Sequence, residues 1–215
     1  MGFDQARRDM VERLQDMGVL TDEDVKAAML KVPRHLFLPS GDRPSAYIDR
    51  PMGIGQGQTI SAPHMVAIMA QYMKLEPGMN VLEVGAGSGY HAAVLAELVR
   101  PGGRVHAMER IPELVDIARE NLCQAGYDDT VGVILGDGTE GLPSKAPFHR
   151  ISVAAAGPEI PRPLLEQLTD GGILIVPVGG KNGQDLIMIE REGEKFRRTD
   201  LGPVIFVPLI GKHGY

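Results

Sequence analysis

The stretch Asn80-Val81-Leu82-Glu83-Val84-Gly85-Ala86-Gly87-Ser88-Gly89-Tyr90 constrains this chain more than any other. Val81, Leu82 and Val84 read as a short buried strand, and glycines at alternate positions then carry the backbone through a tight turn. Ala92, Leu95, Ala96 and Val99 follow at i, i+3, i+4 and i+7, the spacing of one helix face. Strand, glycine turn and helix together open a nucleotide-binding βαβ unit. The glycines permit positive φ and let a ligand approach the backbone closely. The helix start offers N–H groups that have no intrahelical partner.

The glycine spacing bears on which ligand. A dinucleotide fold places a third glycine where the helix packs beside a pyrophosphate. Tyr90 holds that position, and the glycine comes one residue earlier. Glu83, just ahead of the turn, is poorly placed to face a pyrophosphate. The pattern suits S-adenosylmethionine, which has no phosphate. A tight turn in an α/β protein without this ligand is the competing reading, and the loop alone does not separate the two.

With 215 residues the chain can bury one substantial core. A formal net charge of -6 argues against a nucleic-acid surface and favours a cationic ligand such as a sulfonium. The single cysteine, Cys123, excludes an internal disulfide; lying in a helical pattern, it reads as a small buried hydrophobe. No apolar run is long enough to span a bilayer. The N-terminal Asp4, Arg7, Arg8 and Asp9 lack the core of a signal peptide. These features predict a soluble, cytoplasmic, monomeric protein without membrane or nucleic-acid partners. The six histidines show no paired ligand spacing, so no metal is expected.

Along the chain, residues 4–17 read as a helix with Ala6, Met10, Leu14 and Met17 on one stripe. A second helix is expected from Thr21, capped with Asp24, to just before Pro33. Arg34 and His35 read as solvated or capping. Residues 39–60 carry Pro39, Gly41, Pro44, Pro51, Gly53, Gly55 and Gly57 and read as a long, functional loop, a lid over the cofactor. A helix to about Met73 follows, with Val66, Met69, Ala70 and Met73 inward. Ser61, before Pro63, fits an N-cap, and it also fits a hydroxyl that meets a carboxylate at a helix start.

Further strands are expected at Arg104–Met108, Val131–Leu135, Arg150–Ala155 and Ile173–Val176. Helices are expected at 112–125 and around Leu164–Leu168. Glu109 ends its strand about 20 residues beyond the glycine loop, where an acid can take both ribose hydroxyls. Asp137, in Gly136-Asp137-Gly138, is either a turn residue or an acceptor for an adenine amine. Leu186–Glu190, Lys195–Thr199 and Val204–Leu209 read as antiparallel strands. The expected fold is an α/β, Rossmann-like, methyltransferase-type domain: a mostly parallel sheet with helices on both faces. The single domain would divide into an N-terminal helical arm and lid loop (1–74), a cofactor-binding core (75–178) and C-terminal strands (179–215).

At this point the sequence resembles the protein-L-isoaspartate (D-aspartate) O-methyltransferases over nearly its whole length. Val32-Pro-Arg-His35, Gly57-Gln-Thr-Ile-Ser-Ala-Pro-His64, Val81–Gly89, Glu109-Arg-Ile-Pro-Glu-Leu114, Gly136-Asp-Gly138 and Phe206-Val-Pro-Leu209 carry the match. The resemblance implies a repair enzyme. It would move a methyl group from S-adenosylmethionine to the free carboxylate of L-isoaspartyl, and also D-aspartyl, residues in damaged proteins. S-adenosyl-L-homocysteine would be the second product, and the ester would collapse to a succinimide. The same resemblance implies Ser61 as the active-site residue. It puts Thr59, Ile60, Glu83, Gly85, Ala86, Gly87, Glu109, Arg110, Asp137 and Gly138 at the cofactor. Thr59, Ser61, His64 and Val207 would meet the peptide. His149 and Ala154 depart from the family pattern, where an aspartate and a threonine or glycine are common. The rival readings are a nicotinamide-dependent oxidoreductase, a non-catalytic adapter and a methyltransferase for another small acid.

Overall fold

The computed structural model describes residues 2–180 and 183–215. Helices α1 (Phe3–Asp16) and α2 (Glu23–Lys31) form the N-terminal arm. α1 buries Met10 and Leu14 as expected but stops short of Met17, which is 65% exposed. The cap of α2 is Asp22, not Thr21: its carboxylate accepts from Asp24 N and Val25 N, each at 2.9 Å. Thr21 instead donates its backbone N–H to Gln71 Oε1, at 2.6 Å. That tertiary contact has no local sequence signal.

Arg34 corrects a second expectation, because it is fully buried. Its Nε donates to Ala46 O at 2.8 Å, and its guanidinium carbon lies 4.8 Å from the centre of the Tyr90 ring. Guanidinium is weakly hydrated and stacks on aromatic faces, which offsets part of the cost of burial. Burial pushes the Arg34 pKa down and holds the Tyr90 hydroxyl up at about 12. The arm is thereby fastened to the residue that follows the glycine turn.

Residues 39–60 are not a plain loop. They contain a 3₁₀ turn at Arg43–Ser45 and an antiparallel hairpin, β1 (Met52–Gly55) with β2 (Gln58–Ile60). Gln56 and Gly57 join the strands with φ of +52° and +68°, the signs of a type I′ turn. Met52, Ile54 and Ile60 form the buried side. The alternating glycines of β1 hid this strand, since glycine is depleted from strands. Helix α3 (Pro63–Met73) then turns Val66, Met69, Ala70 and Met73 inward, as the sequence predicts.

The main sheet contains β3 (Asn80–Val84), β4 (Arg104–Glu109), β5 (Val131–Leu135), β6 (Phe148–Val153), β7 (Leu168–Gly180), β8 (Gly183–Glu192) and β9 (Lys195–Val204). Their order is β5-β4-β3-β6-β7-β8-β9, parallel from β5 to β7 and antiparallel thereafter. Helix α4 (Tyr90–Val99) carries the expected face of Ala92, Leu95, Ala96 and Val99, and α5 (Pro112–Ala125) matches its expected span. β6, β8, β9 and the helix at Arg162–Glu166 are shifted or longer than expected by two to five residues at an end, and two differences are larger. β7 begins at Leu168 and runs through Asp170-Gly171-Gly172, where its register against β6 shifts. Residues 205–209 form an extended strap, not a strand, joined by a bridge between Ala156 and Pro208. Pro208 has no N–H to continue a ladder.

Side chains alternate across the sheet with period two. Val81, Ile173 and Ile175 join the core under α1–α5. Leu82, Val84, Leu174 and Val176 join a smaller core with Leu164 of α6 (Arg162–Glu166) and Leu209 of the strap. Both faces of the parallel strands are therefore covered, as such sheets require. Cys123 lies outside this packing: the stripe Leu114, Val115, Ala118 and Leu122 faces inward and leaves Cys123 exposed, against expectation. No helix among the described residues is long and apolar enough to cross a membrane.

Asp22→Ala should remove the α2 cap and cost about 1 kcal/mol, or about 2–4 °C in Tm, by thermal unfolding followed with circular dichroism. Thr21→Ala should cost less than about 0.5 kcal/mol, within the range of ordinary surface changes. Equal losses would mean that Thr21 shares the cap.

Candidate active site

β3 has a parallel neighbour on each side, β4 and β6. The chain goes first to one side and later to the other, so the crossovers diverge beyond the carboxyl end of β3. Open α/β sheets bind ligands at such a point. A cavity opens there.

The floor is the glycine turn. Gly85 N and Ala86 N both donate to Met108 O at 2.9 Å, while Gly89 N donates to Ala86 O at 2.8 Å. Gly87 has φ of +55°, and a Cβ there would stand 3.2 Å from Ile54 Cδ1 on the hairpin. Gly89 has φ of +90°, and a Cβ would meet Leu122 Cγ at 3.1 Å. Gly87 thus lets the hairpin approach, and Gly89 lets α4 pack beside α5.

Glu109 fastens the turn to β4. Its Oε2 accepts from Gly87 N at 3.0 Å, and its Oε1 accepts from Arg110 N and Ile111 N at 2.8 and 3.0 Å. It is nearly buried and lines the cavity. Each carboxylate oxygen carries more than one acceptor direction, so these bonds leave room for a ligand donor. Glu83 is wholly buried on the same wall; burial pushes its pKa up, against the nearby His91, which pulls it down.

Thr59, Ile60 and Ser61 come from the end of the hairpin and line the opposite side with Val207 of the strap. Ser61 does not cap α3. The N-cap is Ala62, and no side chain of that residue serves the helix. Asp49 does so from a distance: its Oδ1 accepts from His64 N at 2.9 Å and lies 2.9 Å from His64 Nδ1. Ser61 is left as part of the cavity wall.

The structure therefore gathers Thr59, Ile60, Ser61, Glu83, Gly85, Ala86, Gly87, Glu109, Arg110, Gly138 and Val207 around one cavity. Two expected residues lie outside its lining. The His64 ring turns to Asp49, so its contact is with the loop that precedes the hairpin. Asp137 is engaged by its neighbours. Its Oδ1 accepts from Thr139 N and Thr139 Oγ1 at 2.9 and 2.7 Å, and its Oδ2 from Lys212 N at 2.8 Å. Desolvation raises the Asp137 pKa, but the Lys212 and Thr139 hydrogen bonds outweigh it and hold the carboxyl below its ordinary value. Asp137 anchors the segment that follows the strap, while Gly136 and Gly138 present the turn to the cavity. Tyr90, His91 and Ala154 also line the cavity and were not expected there. Only the position of Tyr90 and His91 directly after the glycine turn could have signalled them. Among the described residues, no group of three or more His, Cys, Asp or Glu is placed to hold a metal ion.

Comparison with known proteins bears on this geometry. The family described as Protein-L-isoaspartate(D-aspartate) O-methyltransferase (PCMT) matches residues 5–214. The chain belongs to this family. A protein-L-isoaspartate O-methyltransferase of Methanopyrus kandleri is 55% identical over 99% of this chain and 95% of its own. One from Aeropyrum pernix is 54% identical over 99% of this chain and 82% of its own. A crystal structure from Plasmodium falciparum, assigned as a protein-L-isoaspartate O-methyltransferase and solved with S-adenosyl-L-homocysteine, superposes with a TM-score of 0.86. It is 29% identical and covers 95% of this chain and 98% of its own.

Within this protein-L-isoaspartate O-methyltransferase family member, His149, expected from the resemblance to be a departure, lies at the far end of the sheet. Its Nδ1 accepts from Asn80 N at 2.9 Å and ties the start of β6 to the start of β3, away from the cavity. Ala154, the other expected departure, lies in the cavity wall beside Gly85.

Asp137→Ala should release the segment that follows the strap. A hydrogen bond to a charged group is worth about 1.5–3 kcal/mol, so amide exchange at Lys212 should quicken about tenfold or more. Unchanged exchange, read by mass spectrometry, would show that other contacts hold the segment.

Proposed function

We propose that this chain methylates the free carboxylate of L-isoaspartyl residues in damaged proteins and peptides, with S-adenosylmethionine as donor. The observation that carries this reading is Ser61. A neutral hydroxyl that does not serve α3 shares a cavity with the glycine turn and Glu109. Family membership over nearly the whole chain and the S-adenosyl-L-homocysteine in the P. falciparum structure support the same donor. The lining also fits it: two acids, Glu83 and Glu109, suit a ligand that carries positive charge and no phosphate.

When bound, S-adenosylmethionine supplies a methyl carbon made electrophilic by its sulfonium. The chain has to present the acceptor. A free carboxyl has a pKa of roughly 4, so it is ionised at neutral pH and needs no general base. Charge is neutralised as the bond forms, so donors aimed at growing negative charge would not help. Alignment of the oxygen with the methyl carbon is what the site can contribute. The Ser61 hydroxyl can orient one carboxylate oxygen without quenching its charge. The hairpin, with Ile54 against the turn, is suited to exclude water from the reacting atoms. Thr59 and Ile60 would lie beside both ligands, Gly85, Ala86, Gly87, Arg110 and Gly138 beside the cofactor, and Val207 beside the peptide.

The same reading takes the chain as one methyltransferase domain: arm and hairpin (1–74), cofactor core (75–178) and C-terminal strands (179–215). The shared core beneath α1–α5 supports a single unit. A monomer in the cytoplasm, with D-aspartyl residues as further acceptors, completes the proposal.

The test supplies methyl-labelled S-adenosylmethionine with matched isoaspartyl and aspartyl peptides. Base-labile label on the isoaspartyl peptide alone is the expected result, and label on neither or both would reject the assignment. Ser61→Ala should lower kcat about ten- to a hundred-fold, the equivalent of one hydrogen bond to a charged group. Its Tm should stay within the change of about 0.5 kcal/mol expected of a residue that holds nothing else. A mutant with wild-type turnover would remove Ser61 from the mechanism.

A further inference from the structure

Helix α3 begins with a single open donor. Pro63 has no N–H, and Met65 N and Val66 N both donate to Ala62 O, at 3.0 and 3.2 Å. His64 N is the amide of the first turn that the backbone leaves without an acceptor, and such groups need a partner from outside the helix. Asp49 Oδ1 accepts from it at 2.9 Å. The same carboxylate also holds the ring: His64 Nδ1 lies 2.9 Å from Oδ1 and 3.1 Å from Oδ2. One side chain thus grips both the backbone and the side chain of a residue 15 positions away.

The two ends of this contact straddle the hairpin. Asp49 precedes β1, and His64 follows β2 and Ser61. The clasp therefore closes the base from which Thr59, Ile60 and Ser61 enter the cavity wall. A cap from Ser61 itself would need Ala62 to turn helical, and proline disfavours that conformation in the residue before it. Ala62 is extended, with φ of -58° and ψ of 146°. Asp49 is in turn set between two positive regions. On one side is the start of α3, which favours an anion. On the other is the buried Arg34: burial lowers its pKa, and Asp49 is among the charges that oppose this. Arg34 is fixed by Ala46 O and the Tyr90 ring, so the clasp is tied to the rigid part of the fold.

We propose that Asp49 is a positioning residue for methyl transfer: by clasping the start of α3 it fixes Ser61 where the acceptor carboxylate must lie. The inference rests on the reading of Ser61 as the hydroxyl that orients that carboxylate. Asp49 does not line the cavity and acts only through the end of the hairpin. Alignment of reacting atoms is lost with displacements of about 1 Å, so a slack base would cost turnover even with every cavity residue in place.

A double-mutant cycle on the intact chain tests this, with methyl-labelled S-adenosylmethionine and an isoaspartyl peptide. Asp49→Ala should lower kcat about ten-fold while Ser61 is present. In a Ser61→Ala background it should lower kcat less than about two-fold, because no hydroxyl is left to misplace. The Kd of S-adenosylhomocysteine, by calorimetry, should move less than about three-fold, since the glycine turn and Glu109 are untouched. Asp49→Asn offers His64 N an oxygen of the same reach and should keep at least about half of the wild-type kcat. Should Asp49→Ala not fold, Asp49→Ser, whose oxygen stops short of His64, takes its place in the cycle. Equal loss in both backgrounds, a loss of cofactor affinity as large as the fall in kcat, or an Asn variant no better than Ala would overturn the proposal. A wild-type chain that leaves the isoaspartyl peptide unlabelled would overturn the reading of the site as well. A wild-type chain that labels it, with kcat indifferent to Asp49→Ala, would remove the role of Asp49 alone.

Discussion

The site depends on the parallel pairing of β3 with a strand on each side. Met108 O, at the end of β4, accepts from both Gly85 N and Ala86 N. Glu109, one residue on, accepts from Gly87 N. Backbone groups that a free turn would use on itself are thus satisfied by the neighbouring strand. The turn is held open where the crossovers part, and the cavity is the space they leave. Because backbone polar groups must be paired somewhere, the cavity and the sheet have one hydrogen-bond account.

Charge is distributed to match. Glu83 and Glu109 lie on the cavity wall, and burial strengthens their field by excluding water. The most deeply buried cation, Arg34, is spent on Ala46 O and the Tyr90 ring, where it joins the arm to α4. A strong cation beside Ser61 would bind a carboxylate tightly and blunt it as a nucleophile. Transfer between an anion and an onium carbon instead favours a site that aligns and dehydrates, and a hydroxyl on a rigid hairpin end meets that requirement.

Much of this was legible along the chain. The hydrophobic runs of β3, β4 and β5 and the periodicity of α3, α4 and α5 located each element within a residue or two, because a buried strand or helix face leaves a local pattern. Acids at the ends of parallel strands marked the right sheet edge. Legibility failed where a residue's partner is distant in sequence. The hairpin at 52–60 was obscured by its own glycines, which are depleted from strands, although Gly57 serves the turn that joins the two strands. Asp137 carried a ligand-like setting, yet Lys212, 75 residues away, occupies its carboxylate. His64 was captured by Asp49 in the same way.

Sequence alone determined the α/β class, the order of the parallel strands and the helices between them, and most of the residues at the carboxyl edge of the sheet, since periodicity and glycine placement act over a few residues. Only the tertiary structure decided which of those side chains remain available to a ligand. That choice depends on which polar groups find partners across the fold. Ser61 is left available because Asp49 serves α3 in its place, Glu83 because no described residue donates a hydrogen bond to it, and Asp137 is withdrawn because Thr139 and Lys212 do.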